Sequence, residues 1–544
     1  MCPPDEQALE EPEISTVTIA PPSERIDYAT VLSIQTKWIV LVGVLMGLFV
    51  AALDQTIVAT ALPAIIADLH GIDLLAWVPA GYLVASTTTV PIYGKLSDLY
   101  GRRSIMLVGL LVFLAGSALC GIAASMMQLI LFRVLQGIGA AALTSSAFAV
   151  IADLFVPAER PRYQGLFGGV FALASVVGPY LGGVLTDHIS WRWVFYVNLP
   201  VGLVAMAFII ARMPRLHSGL RASVDWAGTV LLIAAVVPLL LGLTLDKHVY
   251  PWSSPLVVGL FTVAVLATGL LLLVETRVDS PVIPLDLFRN RTFSVVCAAS
   301  LLIGASFFAA IFFISIFMVN VVGVSATAAG STLIPLTFSL VAGAITSSMI
   351  VQRLGRYKWI IMAGFGVALT GFGLLSTLST DATRWDVTWR MIVLGVGLGP
   401  AMPLLNLVIQ NAVPFQKVGV ATASRQFFLQ IGAAVGTAVF GTVLSTRLTA
   451  HLARTAGPLL AQLSPSVRAV NLEHLRSGAV TSGAVSGSMS PALREAVRQA
   501  FAVSVTQIYT YATFVLAAAL IVIVALPELP LRRSNQPDPT PPVG

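Results

Sequence analysis

The chain has 544 residues, 57% of them hydrophobic and only 10% charged, with a mean hydropathy of +0.90. Soluble domains carry about 25% charged residues, so a soluble globular protein is excluded. The formal net charge of +6 does not point to nucleic acid, because the basic residues are scattered between apolar spans, and Cys2, Cys120 and Cys297 show neither metal-ligand spacing nor an obvious disulfide pairing.

In chain order, residues 1–36 are polar, proline-containing and acidic at Asp5, Glu6, Glu10, Glu11 and Glu13, which predicts a disordered tail. The tail lacks the basic start and short apolar core of a cleaved signal. The first span is therefore expected to act as an uncleaved anchor, with the tail cytoplasmic. Apolar spans follow at roughly 38–61, 75–94, 104–124, 128–151, 164–186, 193–212, 226–245, 255–274, 294–318, 331–351, 359–379, 390–410, 420–444 and 508–526. This predicts an all-α polytopic membrane protein with fourteen transmembrane helices. The spans are continuous rather than alternating, which excludes a β-barrel.

With the N-terminus inside, the inner segments hold twenty Lys and Arg and the short outer loops only Arg192, Lys247, Arg384 and Arg390. The positive-inside rule then places both termini in the cytoplasm. The outer segment 446–507 adds six arginines, but long segments translocate largely regardless of charge. Within it, PALREAVRQAF (491–501) has helical spacing.

An internal repeat organises the spans. Gly101-Arg102 after the second span matches Gly355-Arg356 after the tenth, and Arg133 in the fourth matches Arg390 in the twelfth. Two parallel six-helix halves separated by an extra pair describe a secondary transporter with its site between the halves. The expected layout is a tail over 1–36, six helices over 37–213, two additional helices over 214–292, six helices over 293–526 with the outer loop 446–507, and a cytoplasmic tail over 527–544.

Asp54 is the only formal charge between Trp38 and Ala61. An ionisable group at such a place tends to face a cavity or a partner and to be functional. It lies about eight residues from the outer end of its helix and Arg133 about five from the outer start of the fourth, depths of roughly 12 and 8 Å at 1.5 Å per residue, so the two side chains can meet. Apart from Asp54 the helix interiors hold no clear carboxylate, since Asp187, Asp225, Asp246 and Glu275 lie near helix ends. Trp191, Arg192 and Trp193 sit at an outer interface, where an aromatic belt is expected, and Arg425 is expected to snorkel to the inner surface.

Five motifs occur in order: LDQTIVATALP (53–63), GKLSDLYGRR (94–103), LILFRVLQGIGAA (129–141), GLFGGVFALASVVGPYLGG (165–183) and WRWVFYVNLPVG (191–202). With them the chain resembles the major facilitator superfamily, and within it the fourteen-helix drug:proton antiporters, over about 38–526. The resemblance implies that spans 1, 4, 9 and 12 line the cavity, with Gln55, Gln136, Phe308, Phe312 and Asn406 as candidate substrate contacts. It implies Asp54 and Arg133 as the proton-coupling pair. The loop residues Gly94, Asp98, Gly101, Arg102 and Arg103 become a cytoplasmic gate that closes in the outward-facing state. In the second half Gln352 stands where Asp98 would align, so the full clamp is expected in one half only. Gly178, Pro179, Gly182 and Gly183 match the antiporter motif, which implies export rather than uptake.

The implied function is a proton-driven exporter of hydrophobic or amphipathic small molecules, a monomer in the plasma membrane with no cofactor beyond the proton gradient. The alternative is an exporter of a lipid or an endogenous amphipathic metabolite. The absence of a second membrane acid disfavours strongly dicationic substrates. The sequence has no HExxH, no GxxxxGK[ST] and no GxSxG, so hydrolytic or ATP-driven work has no support. A sensor built on a transporter fold would be expected to lose the charged helix residue that Asp54 supplies.

Overall fold

A computed structural model describes residues 28–70, 74, 77–214, 225–245, 247, 249–278, 281–324, 326–455 and 491–531. Most of the N-terminal tail, the middle of the segment 446–507 (456–490) and the C-terminal tail from 532 lie outside the described residues.

Fourteen long helices are present among the described residues. They are α1 (Ile34–Leu69), α2 (Trp77–Tyr100), α3 (Arg102–Gly121), α4 (Met126–Leu154), α5 (Arg160–His188), α6 (Trp193–Arg212), α7 (Trp226–Thr244), α8 (Pro255–Glu275), α9 (Arg291–Phe317), α10 (Leu333–Leu354), α11 (Lys358–Ser376), α12 (Arg384–Ala412), α13 (Val418–Thr455) and α14 (Pro491–Val524). Thirteen are long and apolar enough to cross a membrane. The other, α2, carries Ser86, Thr87, Thr88, Lys95 and Asp98, and all of these but Lys95 are buried in the protein. Its polarity is met by neighbours: Thr87 Oγ1 donates to Gln430 Oε1 at 2.6 Å and Thr88 Oγ1 to the Val84 carbonyl.

Two helices are broken, α6 at Val197 and α12 at Gly399-Pro400. The last span is longer than its apolar run, because the segment PALREAVRQAF forms the first turns of α14, and α13 likewise continues to Thr455.

Helices α1–α6 enclose one core, around Val44, Leu48, Phe113, Leu143 and Ile151. Helices α9–α14 enclose another, around Phe317, Phe365, Phe372, Leu404 and Tyr509. The extra hairpin α7–α8 packs Leu232, Val236, Leu240 and Leu271 against Val84 of α2 and Phe427 and Ile431 of α13, and so covers a seam between the halves. In both halves the second helix ends at a glycine with positive φ, Gly101 (86°) and Gly355 (68°). That conformation is strained for residues with a Cβ, which accounts for the repeated glycine.

Candidate functional site

The site grows from α1, α3, α4 and α6. Asp54 projects from α1 into the N-terminal bundle and is 0% exposed. On α4, Arg133 and Gln136 are three residues apart and share a face. Arg133 Nη1 reaches Asp54 Oδ2 at 2.5 Å and Gln136 Oε1 at 2.7 Å. The other carboxylate oxygen accepts from Gln136 Nε2 (2.8 Å) and from Asn198 Nδ2 (3.0 Å). Ser117 of α3 closes the ring, accepting from Gln136 and Asn198 and donating to the Phe195 carbonyl next to the break in α6. The Tyr82 ring lies 4.4 Å from the guanidinium carbon, a cation–π contact in a dry setting.

Every member of this ring is buried. A buried ion pair is tolerable only when its remaining lone pairs and protons are also met, and here two amides and a hydroxyl meet them. The structure thus brings Asp54 and Arg133 together, but not on a cavity wall. Gln136, expected at the cavity, is 0% exposed and belongs to the ion-pair shell. Asn198 and Ser117 were not foreseen. Asn198, lodged between apolar residues in VNLP, is the one signal the sequence offered for them.

Neighbouring motifs hold α1 in place. A Cβ added at Gly178 or Gly182 of α5 would collide with Thr56 Oγ1 or Thr60 Oγ1, and Thr56 Oγ1 donates to the Ala174 carbonyl at 2.9 Å. Gly183 faces open space, and Pro179 lies between the two contact glycines. At the end of α1 away from the arginine-rich side, Asp68 accepts from Trp191 Nε1 and Arg192 Nη1, both at 2.9 Å. Trp191 is therefore a buried tie between α1 and α6 rather than part of an aromatic belt, while Trp193 is 48% exposed.

At the arginine-rich side, the loop after α2 makes a second charged cluster. Asp98 pairs with Arg102, whose Nε reaches Asp153 Oδ2 at 3.0 Å and whose Nη1 donates to Ser97 Oγ. Asp98 Oδ2 accepts the Val420 N–H at 3.0 Å, in the first turn of α13, where a carboxylate complements the positive end of the helix dipole. This bond joins the halves. A Cβ at Gly94 would collide with Ala423 of α13, and one at Gly419 with Asp98 Oδ1, so both glycines permit the approach. Close by, Gln164 of α5 donates to Gln410 of α12 at 3.1 Å. Arg103 stands apart from this gate: it donates to the Ile210 carbonyl at the end of α6, inside its own half.

The seams between the halves, α2 against α13 and α5 against α10, are closed at this same side. Gly165 and Gly168 of α5 face Ile345 and Val341 of α10. Toward the other side, Tyr180 of α5 is 72% exposed. The geometry is that of a transporter shut at its arginine-rich end.

The remaining candidates divide. Gln55 is exposed, as are Phe308 and Phe312, one turn apart on α9. Asn406 is 0% exposed and accepts from Arg425 Nε, so it is not on the cavity surface either. Arg425 does not snorkel: it is 1% exposed and donates to Asn406 and Gln426, with no carboxylate at ion-pair distance among the described residues. Both corrections have one cause, because Arg425 donates to Asn406 inside the second bundle. Among the described residues no group of three or more metal-ligating side chains converges.

The sequence profile of the Major Facilitator Superfamily matches residues 44–437. The chain belongs to that superfamily. It is 38% identical over 411 residues to the multidrug transporter protein MdtP of Bacillus subtilis, covering 76% of each chain. It is also 38% identical over 426 residues to multidrug resistance protein 3 of the same organism, covering 78% of this chain and 83% of that one. Among solved structures it resembles the human organic anion transporter MFSD10, with a TM-score of 0.57 at 15% identity, over 88% of this chain and 99% of that one. That likeness shows the fold alone. The superfamily is one of membrane transporters, not of enzymes, and the two Bacillus relatives are of the multidrug type.

Proposed function

We propose that the protein is a proton-coupled exporter of hydrophobic or amphipathic small molecules that works by alternating access. The single observation that carries this reading is the fully buried Asp54–Arg133 pair with its shell of Gln136, Asn198 and Ser117. A proton arriving on Asp54 cancels the charge that holds Arg133, frees Gln136 and Asn198 to re-pair, and so favours a different packing of α1 against α4. Because α1 is also seated on α5 through Gly178 and Gly182, that repacking is felt along the helix. The clamp of Asp98 on α13 must break in the same cycle for the arginine-rich side to open. Energy comes from the proton gradient, without a cofactor, in a monomer placed in the plasma membrane with both termini cytoplasmic.

Support for the substrate class comes from the two Bacillus relatives, whose names are those of multidrug proteins. A second reading, export of an endogenous amphipathic metabolite, is favoured by the Aspergillus aculeatus relative, a transporter of the acurin A biosynthesis cluster, 31% identical over 487 residues. The test is reconstitution in liposomes holding an internal pH dye, with a proton gradient imposed and candidate drugs and amphipaths added one at a time. Substrate-evoked proton movement that Asp54→Asn abolishes, in a variant that still folds, is the expected result. Coupled transport retained in Asp54→Asn would sink the assignment.

A further inference from the structure

A second pair of carboxylates lies outside the ring around Asp54. Asp225 caps the start of α7, its Oδ1 accepting the Gly228 N–H at 2.7 Å. Glu275, the last residue of α8, accepts the N–H groups of Val282 and Ile283 through Oε1, at 3.1 and 3.2 Å. Each group is more than nine-tenths buried, at 7% and 4% exposure. The second oxygen of each, Asp225 Oδ2 and Glu275 Oε2, is buried with no hydrogen-bond partner. The two carboxyls are neighbours beside Gly228: a Cβ placed there would collide with Asp225 Oδ2 and stand 3.2 Å from Glu275 Oε1.

Neither carboxyl has a cation at ion-pair distance among the described residues. The charged group that faces them from a packed element is Lys95 on α2, half-buried, which also feels Asp98 and Lys417. Lys417 is itself held by Asp286. Two adjacent buried carboxylates with unsatisfied oxygens are expensive when both are ionised, and the penalty falls when they hold one proton between them. One carboxyl O–H would then leave the pair a single negative charge and give it a donor for an orphan oxygen.

We propose that Asp225 and Glu275 form a proton-binding site at the arginine-rich face, sharing one proton taken from the adjacent aqueous phase. The proton fastens the start of α7 to the end of α8 and to the segment at Val282. That hairpin covers the seam between α2 and α13, and Lys95 interacts with both this pair and Asp98 of the clamp. Loss of the proton at alkaline pH leaves two neighbouring negative charges and loosens the hairpin. The site is independent of Asp54 and of any substrate.

The test uses the purified full chain in nanodiscs without substrate. Infrared difference spectra taken from about pH 6 to about pH 9 should show a carboxylic-acid C=O band that disappears as pH rises. The band should persist in Asp54→Asn and be lost in the Asp225→Asn/Glu275→Gln double variant. A second readout serves if the double variant does not fold. The folded state holds this proton more tightly than the unfolded chain, so its stabilisation is present at low pH and lost as pH rises. The wild-type melting temperature should therefore fall by roughly 2 °C or more over the same range. Glu275→Gln, whose amide can donate to Asp225 Oδ2 in the proton's place, should remove that fall. A wild-type protein with no such band, a band undiminished in the double variant, or a Glu275→Gln protein that loses stability as steeply as wild type would overturn the proposal.

Discussion

The loops after α2 and after α10 share a glycine of positive φ and end in opposite chemistry. Each helix stops at a glycine with positive φ followed by arginine, Gly101-Arg102 and Gly355-Arg356. In the first half Arg102 is 2% exposed and Asp98 1%, tied to each other, to Asp153 and to the N-terminus of α13. In the second half Gln352 and Arg356 are both exposed. The arginines of the fourth and twelfth helices differ in the same way. Arg133 is locked to Asp54, whereas Arg390 lies on the Trp389 ring and donates to the Asp386 carbonyl. The repeat preserves the glycine–arginine step at the end of the helix, while the buried ion pairs among the described residues are gathered in the first half.

The largest effect should come from breaking the pair that has no counterpart. Arg133→Ala leaves Asp54 buried without its cation and should cost about 3–5 kcal/mol of stability, much of it recovered in Arg133→Ala/Asp54→Asn. Thermal unfolding of the purified variants measures this, and an Arg133→Ala protein as stable as wild type would mean that the ring does not hold the bundle. A smaller effect is expected at the gate. Asp98→Asn removes the carboxylate from both Arg102 and the first turn of α13, a loss of about 1–3 kcal/mol in favour of the opened gate. Spin-label distances between the facing ends of α2 and α13 should lengthen in Asp98→Asn and stay unchanged in Gln352→Ala, and equal responses would erase the asymmetry. The smallest effect tests what the halves share. Gly101→Ala and Gly355→Ala should each destabilise by about 1 kcal/mol, because both force a Cβ onto a backbone of positive φ. A cost confined to Gly101→Ala would show that the second turn is not under the same constraint.

Periodicity and charge spacing carried the helices and the meeting of Asp54 with Arg133, because bilayer thickness fixes span length and depth follows from helix rise. The polar shell was harder to read. Whether Gln136 and Asn406 face a cavity or the bundle depends on helix rotation about its axis, and hydropathy does not report rotation when nearly all faces are apolar. Arg425 was misjudged for the same reason: its place near the start of α13 suggested water, but Asn406 satisfies it from within the bundle. Asp225 and Glu275 were visible only as residues near helix ends. Their adjacency arises from the fold-back of α7 on α8 and the approach of the segment at Val282, contacts that no local pattern encodes.

The central claim is that Asp54 is the group whose proton is exchanged for substrate. The most direct test is proton release from the purified protein in weakly buffered detergent solution when a transported amphipath is added. The account predicts a release in wild type that disappears in Asp54→Asn, while Asp225→Asn and Glu275→Gln proteins still release protons. Release of undiminished size from Asp54→Asn, with substrate still bound, would contradict it.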